Sequence, residues 1–542
     1  MIKRRSQLEF ESGQPGDTLD FQRMHSSEST RFQNIMRQAA GIDPRSLAAF
    51  RVGLSLALLW DALTSLTSVS AFYSNEGFLP LGLLAKFQTS PWMGSLHTWS
   101  GACEWQIVLL IINVIAALCL LAGYRSQISI IVCWVLLCSI QTRNPTILHS
   151  GDVILRLLCF WAMFLPLGAR WSVDQWRGGT STTTGNECVV SPASLAILIQ
   201  LGLVYWMGAL VKNGDEWLRD GTAVYNALSL DQFVTPTGRL LLAYPELCRV
   251  LTFGTWWLEM IGPFLIFVPI RNDLFRLITV ISFWSLHIGL WISLRLGPFP
   301  LIMMTAWLLC VPTSVWDRLA GKRKHSPSSS TPSPTPEPLW MRRFITRAFV
   351  SFCLIYVVLW NFRAVDSQRW GRWFPQWMNP FGYILQLHQY WTMFAPRPTT
   401  DDGWLVMEAW LNDGTKVDLL RDGSPVTFAK PPVISAEFKD SKWQKIILNL
   451  WRSPYQEMRA PFGNYLAFQW NGSHSAPKQI KGWTLWYMRE DTLPDFSPTE
   501  PQKIELLRVG STARSLCLIP CANFSAWRQS PSPAHGETAD WQ

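Results

Sequence analysis

The sequence predicts a mainly α protein, a polytopic helical membrane bundle of about nine spans with a C-terminal extracytoplasmic α+β domain. Three observations predict it. Charged residues are 16% of the 542-residue chain, where an ordinary soluble protein has about 25%, while 49% are apolar and the mean hydropathy is +0.12. Apolar runs near the ~17 to 25 residues that a hydrocarbon core demands recur over the first two thirds of the chain. The last third changes to alternating, turn-punctuated patterns. With 31 Trp and 29 Phe, the composition excludes a disordered chain, and no short-period repeat points to a solenoid.

The elements follow in order. Residues 1–44 read as a polar, cytoplasmic N-terminal segment; Met1 to Arg5 is basic but no apolar stretch follows, so no cleavable signal peptide is expected. Candidate spans lie at roughly 47–66, 104–122, 127–142, 152–168, 192–212, 247–269, 275–294 and 299–316, all within a membrane domain at 45–318. A basic Ser/Pro-rich linker at 319–343, including SPSSSTPSPTPEP, cannot build a core. A last span is expected at 344–362, an α+β domain at 363–529 and a loose tail at 530–542.

Loop charges test the orientation independently, because Lys and Arg are retained on the cytoplasmic side. With the N-terminus inside, the inner segments hold Lys3, Arg4, Arg5, Arg23, Arg31, Arg37 and Arg45, then Arg125, then Arg170 and Arg177, then Arg271, then Arg318, Lys322, Arg323, Lys324, Arg342 and Arg343. The outer connections hold Lys86, Arg143, Arg219, Arg239 and Arg295. The odd span count places the C-terminal domain outside, the arrangement of a multi-pass protein of a bacterial inner membrane. The net charge of +9 is thus explained by topology, and a nucleic-acid partner is not expected.

In the C-terminal domain, Trp404, Val406, Glu408 and Trp410 alternate before Asn412-Asp413-Gly414, Lys416 and Asp418, which reads as a hairpin whose Asp-Gly turn supplies a positive φ. Residues 442–470 suit an amphipathic helix interrupted near Pro461, and Gly482 to Met488 suits a strand. The eleven Cys form no CxxC ladder, and most read as small core residues. Cys517 and Cys521 are candidates to pair with each other or with Cys103, or to stay unpaired.

Ionisable side chains within lipid need a partner, a cavity or a function. Arg51, Asp61, Asp152, Arg156, Lys212, Glu259, His287 and Arg347 lie in spans or at their edges, and His149 lies just outside the fourth. Lys212 closes the fifth span. It either snorkels to headgroups or, at the edge of a low-dielectric site, becomes a free amine and a base. His149 and Asp152 share a helix face if the helix has begun, so the carboxylate either orients the imidazole or helps cap the helix. His287 sits roughly 10 Å below the outer end of its span at ~1.5 Å per residue, either bonded to a neighbouring helix or reached by an outward-facing pocket. Glu259 is expected to pair with Arg51 or Arg156. The chain has no P-loop, dinucleotide fingerprint, HExxH or G-x-S-x-G elbow, and its eight His offer no metal spacing, so no metal site is expected.

These residues carry a resemblance. Arg51-Val-Gly-Leu54 with Trp60-Asp61, Tyr73-Ser-Asn-Glu-Gly-Phe-Leu-Pro80, His149-Ser-Gly-Asp152, Phe164-Leu-Pro-Leu-Gly168 with Trp171-Ser-Val-Asp174, Lys212-Asn-Gly-Asp-Glu-Trp217 with Asp220-Gly-Thr-Ala223, and His287-Ile-Gly-Leu290 with Leu296-Gly-Pro-Phe-Pro300 resemble the HTTM family. That is the membrane domain related to vitamin K-dependent gamma-carboxylase, matched in order over about 45–318. Trp391-Thr-Met-Phe-Ala-Pro396 with Asp402-Gly-Trp404 is similar to the outer region of bacterial members.

The resemblance implies chemistry at the outer face. Lys212 falls where the carboxylase has the base that deprotonates reduced vitamin K or another quinol; oxygen and carbon dioxide are cosubstrates, and a glutamate side chain of a peptide or protein is carboxylated while the quinol becomes an epoxide. His149 and His287 match histidines that assist, and Tyr205, Trp206 and Trp217 suit a quinone-binding boundary. Membrane lipid is the other expected partner. The chain departs from the family pattern at Val211, where the animal enzyme has a second lysine. The rival expectation is a noncatalytic membrane protein whose outer domain binds a partner or lipid; no inverted repeat points to a transporter.

Overall fold

A computed structural model describes residues 35–178, 188–321, 338–493 and 499–510. Most of the polar N-terminal segment, the Ser/Pro-rich linker, Cys517, Cys521 and the C-terminal tail lie outside the described residues. The principal helices are α1 (Pro44–Thr67), α2 (Cys103–Ala122), α3 (Ser126–Arg143), α4 (Ser150–Ala162), α5 (Pro192–Val211), α6 (Pro245–Leu265), α7 (Asn272–Ser293), α8 (Phe299–Trp307), α9 (Thr313–Leu319) and α10 (Pro338–Val365). Local sequence explains their ends. Asp43 caps α1 ahead of Pro44, whose missing N–H costs nothing there. Ser191 and Ser194 close a reciprocal cap on α5, again with Pro first. Gly123, at φ 68°, ends α2 in the left-handed conformation.

Six helices are long and apolar enough to cross a membrane: α1, α2, α3, α5, α7 and the Phe344–Val365 part of α10. The chain is therefore an integral membrane protein with mainly helical architecture. In α7 the buried residues Arg276, Thr279, Val280, Phe283 and His287 fall on one stripe, while Ile278, Ile281, Ile288 and Trp291 are exposed. An apolar face of that size outside a packed core is a face for lipid.

The other three expected spans differ. α6 has the length, 21 residues, but is diluted by Glu246, Arg249 and Glu259. The eighth run bends by 92° between Phe299–Cys310 and Thr313–Leu319, at Pro312. The fourth run, expected over 152–168, forms a helix of only 13 residues that is buried almost all round. Hydropathy cannot separate a helix sheathed in lipid from one sheathed in protein, and a short helix buried on nearly every side is the second kind.

Helix ends alternate between two faces of the bundle. On one, Arg45 pairs with Asp317 at 2.8 Å and Arg276 donates to the Gly41 carbonyl at 2.7 Å. The other is covered by the C-terminal domain, a five-stranded antiparallel sheet of order β3-β2-β1-β4-β5 with β1 Asp401–Leu411, β2 Lys416–Asp418, β3 Ser424–Pro425, β4 Ile480–Asp491 and β5 Gln502–Val509. The predicted hairpin is the β1–β2 pair, with Gly414 at φ 85°. Two helices complete the domain, α11 (Ser441–Leu450) and α12 (Arg459–Ser473). Their break lies at 451–458, before Pro461, which sits in the first turn of α12 where a missing N–H is tolerated. Cys103 is a free, half-buried thiol among the described residues.

The domain is docked through specific contacts. Gln444 donates to the Gln232 carbonyl, Asn449 to that of Thr146, and Arg295 to that of Ser435. The chain between α10 and β1 also departs from the expected free-standing outer domain. Gln386, Leu387, Gln389 and Trp391 are buried in the bundle, where Gln389 bonds Gln200 of α5 at 2.8 Å.

Candidate functional site

Lys212 follows the last turn of α5 at the face that the C-terminal domain covers. It is 5% exposed and donates to the Glu259 carboxylate of α6, so it does not snorkel. Its ammonium also stands 4.8 Å from the centre of the Trp217 ring, whose indole N–H is fixed on the Phe394 carbonyl at 2.9 Å. Asp215, Glu216 and Asp220, close in sequence, are not its partners: Asp215 faces Arg219 in solvent, and Glu216 faces Arg397.

The expected pairing of Glu259 with Arg51 or Arg156 is corrected. Arg51 lies at the opposite face, where it donates to the carbonyls of Leu167 at 3.0 Å and Trp171 at 2.6 Å. Arg156 is occupied by the carbonyls of Gln386 at 3.0 Å and His388 at 2.6 Å and by Gln141 at 3.2 Å. Both guanidiniums are held chiefly by main-chain carbonyls that no hydropathy pattern reveals, which leaves the carboxylate to the lysine.

Nearly two turns before the end of α5, Tyr205 is buried. Its oxygen accepts from Trp307 Nε1 at 2.8 Å, and its hydroxyl meets His287 Nε2 at 2.7 Å. The oxygen has two lone pairs, so either the hydroxyl or the imidazole N–H can donate in the Tyr205–His287 bond. His287 Nδ1 has no hydrogen-bond partner among the described residues. Phe283 stacks on Trp307 at 4.3 Å and lies 4.2 Å from Tyr205, so the walls are aromatic. Trp206 points elsewhere and packs on Phe264 at 4.3 Å.

His149 is the N-cap residue of α4. Its Nδ1 accepts from Gly151 N at 3.1 Å, and its own N–H donates to Asp152 at 2.9 Å, the reciprocal arrangement of a capping box. Nδ1 being an acceptor, the neutral ring carries its proton on Nε2, 3.5 Å from the Asp152 carboxylate. Capping and orientation by the carboxylate thus coexist. The start of α8 links the two histidines: the Phe299 ring lies 5.7 Å from His287, and the Phe299 backbone passes against Gly151, where a Cβ would come within 3.3 Å of it.

Lys212, His287 and His149 make no direct contact with one another among the described residues; Phe299 lies between the two histidines, and His287 meets α5 at Tyr205. Beside His149, Asp61, Tyr73, Gln141, Asn144, Asp152 and Lys442 surround a polar cavity with about 10 Å³ open to the centre of a water molecule. That is room for one water. Lys442 comes from α11 and bonds Asp61 at 3.0 Å and Ser65. The sequence marks Asp61 and Asp152 as costly in lipid, but nothing local marks Lys442, which reaches Asp61 from 381 residues away.

The arrangement supplies a buried amine–carboxylate pair, an aromatic wall beside an unpartnered imidazole nitrogen, and an oriented imidazole. Searches of curated proteins and of solved structures return no match. The HTTM domain family model matches residues 40–316, from just before α1 through α9. On that match over more than half of its length, this chain belongs to the HTTM-domain family.

Proposed function

We propose that the protein is a membrane enzyme in which the Lys212–Glu259 pair acts as the base toward a quinol, at the extracytoplasmic face of a bacterial inner membrane. The single observation that carries this reading is the placement of Lys212: buried, paired with one carboxylate, and set against an aromatic face rather than water. In a low-dielectric site the ion pair and the neutral amine–acid pair draw closer in energy. Transfer of the shared proton to Glu259 leaves Lys212 with a lone pair for a substrate hydroxyl, and Glu259 is the proton reservoir.

The residue chemistry fits an aromatic diol. Trp217 and Tyr205 supply aromatic walls, and the unpartnered Nδ1 of His287 offers a hydrogen-bonding position to a hydroxyl. A bound quinol supplies the electrons that reduce oxygen and, by family analogy, the base strength needed to take a γ-proton from glutamate before carbon dioxide adds. His149, oriented by Asp152, is assigned to proton handling on the water-facing side. The charge asymmetry of the connections supports an N-terminus inside and a C-terminal domain outside, with nine passages.

Full-length protein in nanodiscs, given reduced vitamin K, oxygen, labelled bicarbonate and a glutamyl peptide, tests the reading when epoxide and fixed label are scored separately. Epoxide lost in Lys212→Ala of unchanged melting temperature supports base chemistry, and label fixed as well makes it a carboxylase. No epoxide from folded wild type across several quinols favours the noncatalytic reading, with Lys212–Glu259 a structural pair.

A further inference from the structure

The chain that leaves α10 carries side chains that the site above does not use. Over 363–378 stand Arg363, Arg369, Arg372, Trp370, Trp373 and Trp377, with Asp366 as the one carboxylate. Asp366 caps a short helical turn, accepting from the Arg369 backbone N–H at 2.9 Å. Arg363 is engaged by Asn379 and by the rings of Trp360 and Phe374. Arg369 and Arg372 are exposed, each over its neighbouring indole, Trp370 at 5.1 Å and Trp373 at 5.6 Å, and neither forms an ion pair among the described residues.

The segment folds back on the helix it follows. The Trp370 ring lies 5.5 Å from Phe362, buried Phe374 lies 5.6 Å from Trp360 and 5.1 Å from Tyr356, and the Tyr356 hydroxyl donates to the Met378 carbonyl at 3.0 Å. Tyr356 precedes Val365, the end of α10, by nine residues, which at ~1.5 Å per residue is about 13 Å along the helix. The chain from Trp370 to Met378 therefore runs alongside the last turns of a helix long and apolar enough to cross a membrane. Phe374 faces that helix, while Trp373 and Trp377 are 63% and 77% exposed. The exposed apolar side chains of α10, Phe349, Phe352 and Ile355, adjoin this edge through Phe381, 5.0 Å from Phe352. Beside the end of a span the surroundings are the boundary of headgroups and acyl chains, where tryptophan is enriched and arginine reaches out to phosphate.

We infer that this folded-back segment is a binding site for an anionic phospholipid, its phosphate held by Arg369 and Arg372 and its acyl chains lying along Trp373 and Trp377. Charge complementarity selects the lipid: two guanidiniums without an ion-pair partner favour a headgroup of net negative charge over a zwitterionic one, whose ammonium they repel. The exposed indoles select a lipid over a free anion, since a soluble phosphate uses the guanidiniums alone. This role is independent of quinol chemistry at Lys212.

The test takes full-length protein stripped of lipid in neutral detergent and offers it phosphatidylglycerol, phosphatidylcholine or soluble glycerol phosphate, with native mass spectrometry to read binding and hydrogen exchange of the 366–378 backbone to locate it. Wild type is expected to prefer phosphatidylglycerol to phosphatidylcholine and to exchange more slowly over 366–378 when it is bound. Arg369→Gln with Arg372→Gln should weaken phosphatidylglycerol binding about ten-fold and abolish that protection at unchanged melting temperature. The paired Lys replacements should keep most of both, which separates a lost charge from a lost fold, and Trp373→Ala with Trp377→Ala should weaken retention of both lipids. Equal protection of the segment by the two lipids, undiminished protection in the Gln variant, or protection by glycerol phosphate as strong as by lipid overturns the inference.

Discussion

Lys442 at the domain junction and Lys212 at the end of α5 are both buried lysines paired with a carboxylate from another helix, and they differ in how many acceptors surround them. Lys442 has three, the Asp61 carboxylate, the Asp61 carbonyl at 3.3 Å and Ser65, which match the three donors of an ammonium. Lys212 has one carboxylate and a ring face. The first is a clamp holding the C-terminal domain on the bundle; the second keeps unused donor capacity, which the proposed base role would draw on. Burial of a lysine is thus uninformative by itself, and the acceptor count separates structure from chemistry.

The largest effect should come from breaking the saturated pair. Lys442→Met leaves Asp61 buried beside Asp152 without a cation, at a cost of about 3–5 kcal/mol. Thermal unfolding and limited proteolysis should report a loosened C-terminal domain, and an unchanged melting temperature would deny the clamp. The next effect sharpens the other side of the comparison. Glu259→Gln removes the proposed proton reservoir and should lower turnover per folded molecule by about 10² or more, alongside a loss of stability from leaving Lys212 buried without its carboxylate. A strongly destabilised but fully active variant would make Glu259 structural.

Legibility from the sequence divides along the same line. Lys212, His149 and His287 were visible because a polar residue in an apolar run is conspicuous locally. Asp152, three residues from His149, was visible too; the long-range partners of Lys212 and His287 were not. Glu259 was assigned to arginines because the buried 385–396 segment, whose carbonyls satisfy Arg156, has no periodicity to betray it. Lys442 and Lys445 looked like the polar face of an amphipathic helix, and only docking turned that face inward. The β1–β2 hairpin and β4 were legible because alternation and Asp-Gly turn chemistry act over a few residues. The short, encased α4 was not, since apolarity does not name the solvent.

A smaller, pH-dependent effect concerns a second junction contact. Asp402 accepts from the Asp231 backbone, and burial, with the Asp231 and Glu490 charges adding to it, pushes its carboxyl up to about 7. Raised above its unfolded value, the group holds its proton more tightly when folded. Stability should therefore fall as pH rises from about 4 to about 7, by on the order of 1 kcal/mol per unit. Asp402→Asn should flatten that slope in denaturant titrations, and an unchanged slope would remove Asp402 from the account. The smallest effect is expected at the ring. Trp217→Leu deletes a cation–π contact worth about 0.5–2 kcal/mol, which should show as a modest rise in quinol KM without loss of kcat.

The central claim is that Lys212 exchanges protons rather than merely closing an ion pair. Its most direct test is single-turnover oxidation of reduced vitamin K by folded wild type, Lys212→Ala and Lys212→Arg in nanodiscs. Epoxide from wild type alone, with the permanently charged Arg as inert as Ala, is the predicted result. Epoxide from the Arg variant at the wild-type rate would contradict it.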